Sequence, residues 1–229
     1  MRRFYKHASH RAVDGGFEIL LDARPVKTPA RSELVVPVER LAASIAAEWN
    51  AQGDELDPRS MPFTGLANAA IDHVIPDRLA FARGLWSYGE SDLLCYRAEA
   101  PAPLVERQAR HWDKLLAWAR RRFDIDFEVV PGIMHRAQPQ ATVARLADAV
   151  ESLDAFRLAA LSPLVTISGS LVIALALAEG AVPLDEAWEA ASLDEAWQTE
   201  QWGEDAEAAA RFANRRRDFD AACAFLNLL

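Results

Sequence analysis

The sequence predicts an α+β chain: a small β-rich N-terminal domain with one or two helices, followed by a larger all-helical domain. Two observations carry this. Alternating apolar residues mark the first 37 positions, and helical apolar spacing fills nearly everything after them. A third, 51% hydrophobic and 26% charged residues in a chain of 229, shows that there is enough apolar material for a real core.

In chain order, Phe17, Ile19 and Leu21 alternate after Asp14-Gly15-Gly16, a hairpin-type turn, and Leu34-Val35-Val36 is a short β-branched run closed by Pro37. From Val38 to Gln52 the positions Val38, Leu41, Ala42, Ile45 and Trp49 keep helical spacing, with Pro37 suited to the first turn and Gly53 to the stop. A polar, proline-bearing loop covers Asp54 to Pro62. Helical patterns then run over 64–74, 77–90, 103–122, 139–151, 153–179, 184–202 and 204–228, interrupted by an extended candidate, Phe127-Glu128-Val129-Val130, before Pro131-Gly132. Pro76 is the candidate hinge, giving domains 1–76 and 77–229.

The formal net charge of −9 argues against a nucleic-acid binder or an anionic-membrane binder, both of which need a surplus of Lys and Arg on the contact face. Arg120-Arg121-Arg122 and Arg215-Arg216-Arg217 are local exceptions. The first triplet closes a helix, where cations meet the negative end of the dipole. Cys95 and Cys223 stand far apart with no C-x-x-C, as suits a reducing compartment. The chain begins MRRFYK, but residues 7–16 read HASHRAVDGG, so no cleaved targeting segment is expected. Leu158 to Ala178 is 21 residues without a charge, long enough to span a bilayer. Pro163, Gly169 and four hydroxyls within it, with no Lys/Arg cluster at either end, make it read as the buried centre of a helical domain.

Nucleotide-binding motifs are absent: there is no G-x-x-x-x-G-K-[ST], no G-x-G-x-x-G and no kinase set. No cofactor is expected. A G-x-S-x-G elbow is missing as well, and the five scattered histidines show no H-E-x-x-H spacing, so no metal site is expected. Asp72 with His73, and Glu90 with Asp92, are the pairs from which an acid–base site could be built.

One acid breaks the pattern. If 184–202 is a single helix, Leu184, Trp188, Ala191, Glu195, Gln198 and Trp202 share a sector roughly 80° wide, and Glu195 sits in the middle of this apolar stripe. Three readings stand. Ser192-x-x-Glu195 has capping-box spacing, Glu195 could be an ordinary half-exposed glutamate, or it is a carboxylate kept for a partner or substrate. Trp188, Trp197 and Trp202 crowd this region on more than one face, so at least one should reach the surface or a groove, and an exposed Trp signals an interface.

Six stretches carry a family resemblance: Phe4-Tyr5-Lys6, Leu21-Asp22-Ala23-Arg24-Pro25-Val26-Lys27-Thr28-Pro29, Glu48-Trp49-x-x-Gln52, Met61-Pro62-x-Thr64, Asp92-Leu93-Leu94-Cys95-Tyr96-Arg97-Ala98 and Asp194-Glu195-x-x-Gln198-x-x-x-Trp202-Gly203. In this order, over nearly the whole chain, they resemble the assembly chaperone of the F-type ATP synthase that holds the free α subunit. Ala23 stands where Gly is common, and 85–91 (LWSYGES) is less typical. The resemblance implies a non-enzymatic role: binding unassembled α subunit and preventing its aggregation until β subunits replace the chaperone. It also implies function for the acid of the D-E-x-x-Q motif, here Glu195, with Asp194, Gln198, Trp202 and Trp188 as the partner-binding set. A monomer when free, with no nucleic-acid partner and no stable membrane insertion, is expected in a bacterial cytoplasm, or in the mitochondrial matrix if organellar. A small hydrolase or transferase using Asp72/His73 or Glu90/Asp92, and a membrane-anchored adaptor, are the alternatives.

Overall fold

In a computed structural model of the chain, which describes residues 2–203 and 205–229, the Asp14-Gly15 turn joins β1 (Ala8–Val13) to β2 (Gly16–Leu21) as an antiparallel hairpin with Ala8 opposite Leu21 and Val13 opposite Gly16. β3 (Arg24–Pro25) and β4 (Val35–Val36) both pair antiparallel with β2, which makes β2 the central strand. Its last four residues, Glu18 to Leu21, are all buried, so the strand is covered on both faces rather than on one. Gly16 has φ +150, and β4 runs so close that the Val36 carbonyl oxygen occupies the space of any Cβ there.

The link from β2 to β3 is a tight turn in which Asp22 (φ 47) and Ala23 (φ 68) are both left-handed. The Asp22 carboxylate accepts from the backbone N–H groups of Lys6 and His7, which holds it below the usual carboxylate range. α1 (Glu39–Asn50) packs on β1 and β2 through Leu41, Ala42, Ile45 and Ala46. Glu48 of α1 then caps α2 (Pro62–Ala69), accepting from Phe63 N at 2.6 Å, Thr64 N at 2.8 Å and Thr64 Oγ1 at 2.7 Å. Burial raises the Glu48 carboxyl above its usual range, against the pull of these donors. Gln52 ties down the intervening loop by accepting from Asp57 N and donating to Ser60 Oγ. A π-helical turn, Ala70–Val74, leads into α3 (Arg78–Trp86).

β5 (Tyr96–Arg97) pairs in parallel with β6 (Val130–Pro131), at the end of the predicted extended piece. Between them runs α4 (Ala102–Phe123), whose Trp112, Leu115, Leu116, Ala119 and Phe123 face inward. Its terminal arginines act as helix-end cations: Arg120 pairs with Asp126 at 2.9 Å and Arg122 with Glu179 at 2.5 Å. α5 (Gln140–Glu151) follows.

The helix expected over 153–179 is two helices, α6 (Ala155–Ser168) and α7 (Leu171–Ala178), separated at Gly169 with φ +67. Leu171 through Leu177 are buried all round. Among the described residues no helix is long and apolar enough to cross a membrane. The helix expected over 184–202 is also two: α8 (Leu184–Ala191) and α9 (Leu193–Trp202). Last comes α10 (Ala206–Asn227); the expected start at Glu204 lies outside the described residues.

The chain divides into two compact units, Met1–Phe81 with Asp154–Ala160 and Ala224–Leu229, and Ala82–Leu153 with Leu161–Cys223. The first therefore includes pieces from far along the sequence. Phe225 stacks near Phe63 at 6.2 Å between ring centroids, and Arg40 donates to the Leu228 carbonyl at 2.6 Å. The small β-rich part and the larger helical part make the chain α+β.

Candidate functional site

The break at Ser192 decides what α9 presents. Ser192 (φ −104, ψ 9) leaves the helical path, and its hydroxyl donates back to the Trp188 carbonyl at 2.7 Å, closing α8 rather than capping α9. A helix does start at the next residue, but no capping box forms. The Glu195 carboxylate instead takes the guanidinium of Arg215. The predicted stripe is thus split between two helices, and Glu195 does not lie in the middle of one apolar face.

Trp188 departs from the expectation most. It is 6% exposed, with its ring edge-on to Phe212 and Phe219 at 5.0 and 5.4 Å, and the Arg216 guanidinium lies 5.5 Å from its centroid. Arg216 is itself held by Asp185 at 2.5 Å and Asp220 at 2.7 Å, which push its pKa up. Trp188 is therefore core, out of reach of a partner, because α8 turns its apolar side inward against α10.

Asp194, Gln198 and Trp202, spaced by four, come together on one side of α9 and line an open groove of about 430 Å³. Trp197 lines it too. The opposite wall is made by Tyr96 of β5, Leu104 and Gln108 of α4, and Ile133 just beyond β6. Large apolar surface is exposed around the groove: Trp202 is 79% exposed, Ile133 92% and the adjacent Met134 80%. Single exposed apolar residues are ordinary, but three near one groove form a concentrated apolar surface.

Polar contacts hold the groove's shape. Buried Gln108 donates to Asp194 Oδ1 at 2.8 Å and accepts from Ala98 N at 2.8 Å, strapping α9 and the end of β5 to α4. Arg107 sits 5.5 Å from the Trp197 ring and pairs with Glu200 at 2.8 Å, which fixes the indole. Arg97 donates to the Leu94 carbonyl at 2.9 Å and to Asp113 at 2.7 Å, 5.3 Å from the Trp112 ring. Pre-set aromatic and apolar surface with satisfied polar walls suits recognition of a surface more than chemistry on a substrate.

The acid–base pairs considered from sequence do not assemble. Asp72 accepts from Thr28 Oγ1 at 2.6 Å and Ala30 N at 2.9 Å, fixing the loop after β3, while His73 is exposed. Glu90 is exposed and Asp92 is fully buried. The Asp92 carboxylate accepts from Leu94 N at 3.1 Å and Val172 N at 3.0 Å, at the N-terminus of α7. Burial pushes its pKa up to about 6 although the backbone donors pull the other way, and burial with the nearby Asp92 pushes the Cys95 thiol up to about 12. Among the described residues no three His, Cys, Asp or Glu gather as metal ligands would.

Sequence reasoning missed Gln108, Ile133 and Met134. Gln108 was findable by the test that singled out Glu195: it is a polar residue on the apolar side of α4, in line with Trp112, Leu115 and Ala119. Ile133 and Met134 follow Pro131-Gly132 in a stretch without periodicity, so nothing assigns them to a buried face.

The chain is an α+β protein whose groove is bordered by exposed aromatic and aliphatic side chains. The family described as ATP12 chaperone protein matches residues 2–120. Mitochondrial protein atp12 of Schizosaccharomyces pombe is 27% identical over 214 residues, 88% of this chain and 74% of that protein. The crystal structure of Atp12 from Paracoccus denitrificans superposes with a TM-score of 0.95 at 40% identity, covering 99% of this chain and 97% of that one. The crystal structure of the Atu1473 protein of Agrobacterium tumefaciens gives a TM-score of 0.94 at 43% identity, covering 99% of this chain and 85% of that one. The chain belongs to the ATP12 chaperone family, and its place is in ATP synthase assembly.

Proposed function

We propose that the chain binds the unassembled α subunit of the F-type ATP synthase and keeps it from aggregating until β subunits take its place in the catalytic head. The observation that supports this most is the groove flanked by exposed Trp202, Ile133 and Met134 in a member of this family. A free α subunit exposes the apolar surface it later buries against β. Covering that surface lowers the population of aggregating species by mass action. Release needs no energy source if α–β contacts displace the holder, which fits a sequence without nucleotide motifs. A partly polar interface with a few aromatic anchors gives affinity modest enough for exchange. A non-enzymatic role fits the use of Asp72 and Asp92 as structural acceptors. We place the chain, as a monomer when free, in a bacterial cytoplasm or a mitochondrial matrix, since its relatives include a mitochondrial protein and bacterial ones.

Purified α subunit is the test. Wild-type chain at equimolar ratio is expected to suppress light scattering by α on dilution from denaturant and to co-purify with it, without ATP. If α scatters equally with and without the chain, the assignment of this client is wrong.

A further inference from the structure

A second groove, of about 570 Å³, opens in the Ala82–Leu153 part of the chain. Trp86 at the end of α3, together with Val143, Ala144 and Ala147 of α5, gives it an apolar lining. The three α5 residues lie on one helical face, and their small side chains leave room for a long one to enter. Its rim is acidic. Glu90 and Asp148 both line the groove, and Trp86 Nε1 donates to a third carboxylate, Glu151, at 3.2 Å. Among the described residues no Lys or Arg lines it. His135 lines this groove, and its Nδ1 is 3.2 Å from the hydroxyl of Tyr96, which lines the first groove. The stretch carrying Ile133, Met134 and His135 thus borders both.

This chemistry selects an occupant. An indole fixed by a carboxylate and two more carboxylates at the rim, with no Lys or Arg among the described lining residues, complement an ammonium or guanidinium group. The alanine and valine face suits the methylene stem that such a group carries. The chain's net charge of −9 favours the approach of a basic segment.

We infer that this groove takes a basic, amphipathic segment of the client, with an Arg or Lys stem on the α5 face and its charge between Glu90 and Asp148. The inference rests on the reading of ATP synthase α subunit as client, and adds the kind of segment gripped beside the first groove.

The experiment measures binding of purified α subunit to three variants in low salt. Glu90→Gln with Asp148→Asn removes the rim charge, Ala144→Arg places a cation in the groove, and Glu106→Gln with Asp218→Asn removes two charges elsewhere. All changes are at exposed positions, and thermal melts establish that each variant is folded. The first two are expected to weaken binding at least tenfold, with the third unchanged. A photo-crosslinker at position 143 should attach to an α peptide containing Arg or Lys. Wild-type binding with both groove variants equal to it overturns the inference while leaving the client reading in place. Failure of the wild-type chain to bind α removes the client reading and the inference with it.

Discussion

Glu195 of α9 and Arg215 of α10 form an ion pair in which both side chains stay partly open, 40% and 43% exposed. A pair so wet contributes at most about 1 kcal/mol to stability. Its position still matters, because Arg215 ties Glu195 beside the groove formed by its neighbours Asp194 and Gln198. Glu195→Gln should therefore melt within about 3 °C of wild type, while its suppression of α-subunit aggregation falls. The charge swap Glu195→Arg with Arg215→Glu separates the roles. If the swapped chain regains full chaperone function, Glu195 serves only to pin α10, and its reading as a client contact is wrong.

Two left-handed positions make opposite predictions from the same backbone physics. Ala23 holds φ 68 in the β2–β3 turn, where a Cβ costs about 1 kcal/mol and glycine is free to sit. Gly169 holds φ 67 between α6 and α7, where an added Cβ would meet Leu93 Cβ at 3.9 Å, an ordinary contact. The cost of Gly169→Ala is then the backbone alone. Ala23→Gly should raise the denaturation midpoint and Gly169→Ala lower it by the equivalent of about 1 kcal/mol, or about 2–4 °C. A fall in Ala23→Gly, or a rise in Gly169→Ala, would show that unfolded-state entropy outweighs the strain at that position.

Asp92 predicts a pH dependence with a definite sign. Its pKa is about 6 in the folded chain against 3.8 ordinarily, so between these values the folded state holds more of the proton than the unfolded state. Stability from this group is fully present below pH 3.8 and is lost as pH rises through 6. Asp92→Asn cannot titrate, and it turns an amide donor toward Leu94 N–H or Val172 N–H. It should cost about 1–3 kcal/mol, with the gap to wild type narrowing as pH goes from 4 to 7. Denaturant titrations of both proteins across that range give the sign directly, and a gap that widens instead would place the folded pKa below the ordinary one.

The sequence carried the class and most elements, because period-two and helical apolar spacing are local. What it hid was set by one side-chain turn and by distant partners. The break at Ser192 has no Gly or Pro to announce it and depends on a hydroxyl turning back to the Trp188 carbonyl. The β5–β6 pairing joins residues more than thirty apart, and the first unit borrows Phe225 from the end of the chain. Of the motif residues, Glu48, Gln52 and Thr64 turn out to hold a loop and a helix start. Gln198 and Trp202 were legible in the helical stripe and Asp194 only in the D-E-x-x-Q motif; that the three line one groove shows only in the fold. The burial of Trp188 was not legible, since only the packing of α8 on α10 shows that it faces inward.

Trp202 is the residue on which the contact surface should depend most. At 79% exposure its indole contributes little to the fold, so truncation to Ala should leave the melting temperature within about 2 °C of wild type. In a complex the same side chain would be buried with Ile133 and Met134, and aromatic anchors of this kind carry about 2 kcal/mol each, on the order of thirtyfold in affinity. Trp202→Ala and Ile133→Ser are therefore expected to lower affinity for α subunit strongly, each without unfolding. Titration by intrinsic fluorescence checks it, since Trp197 remains as a reporter in the same groove. Equal affinity in both variants and wild type would move the client contact away from this groove.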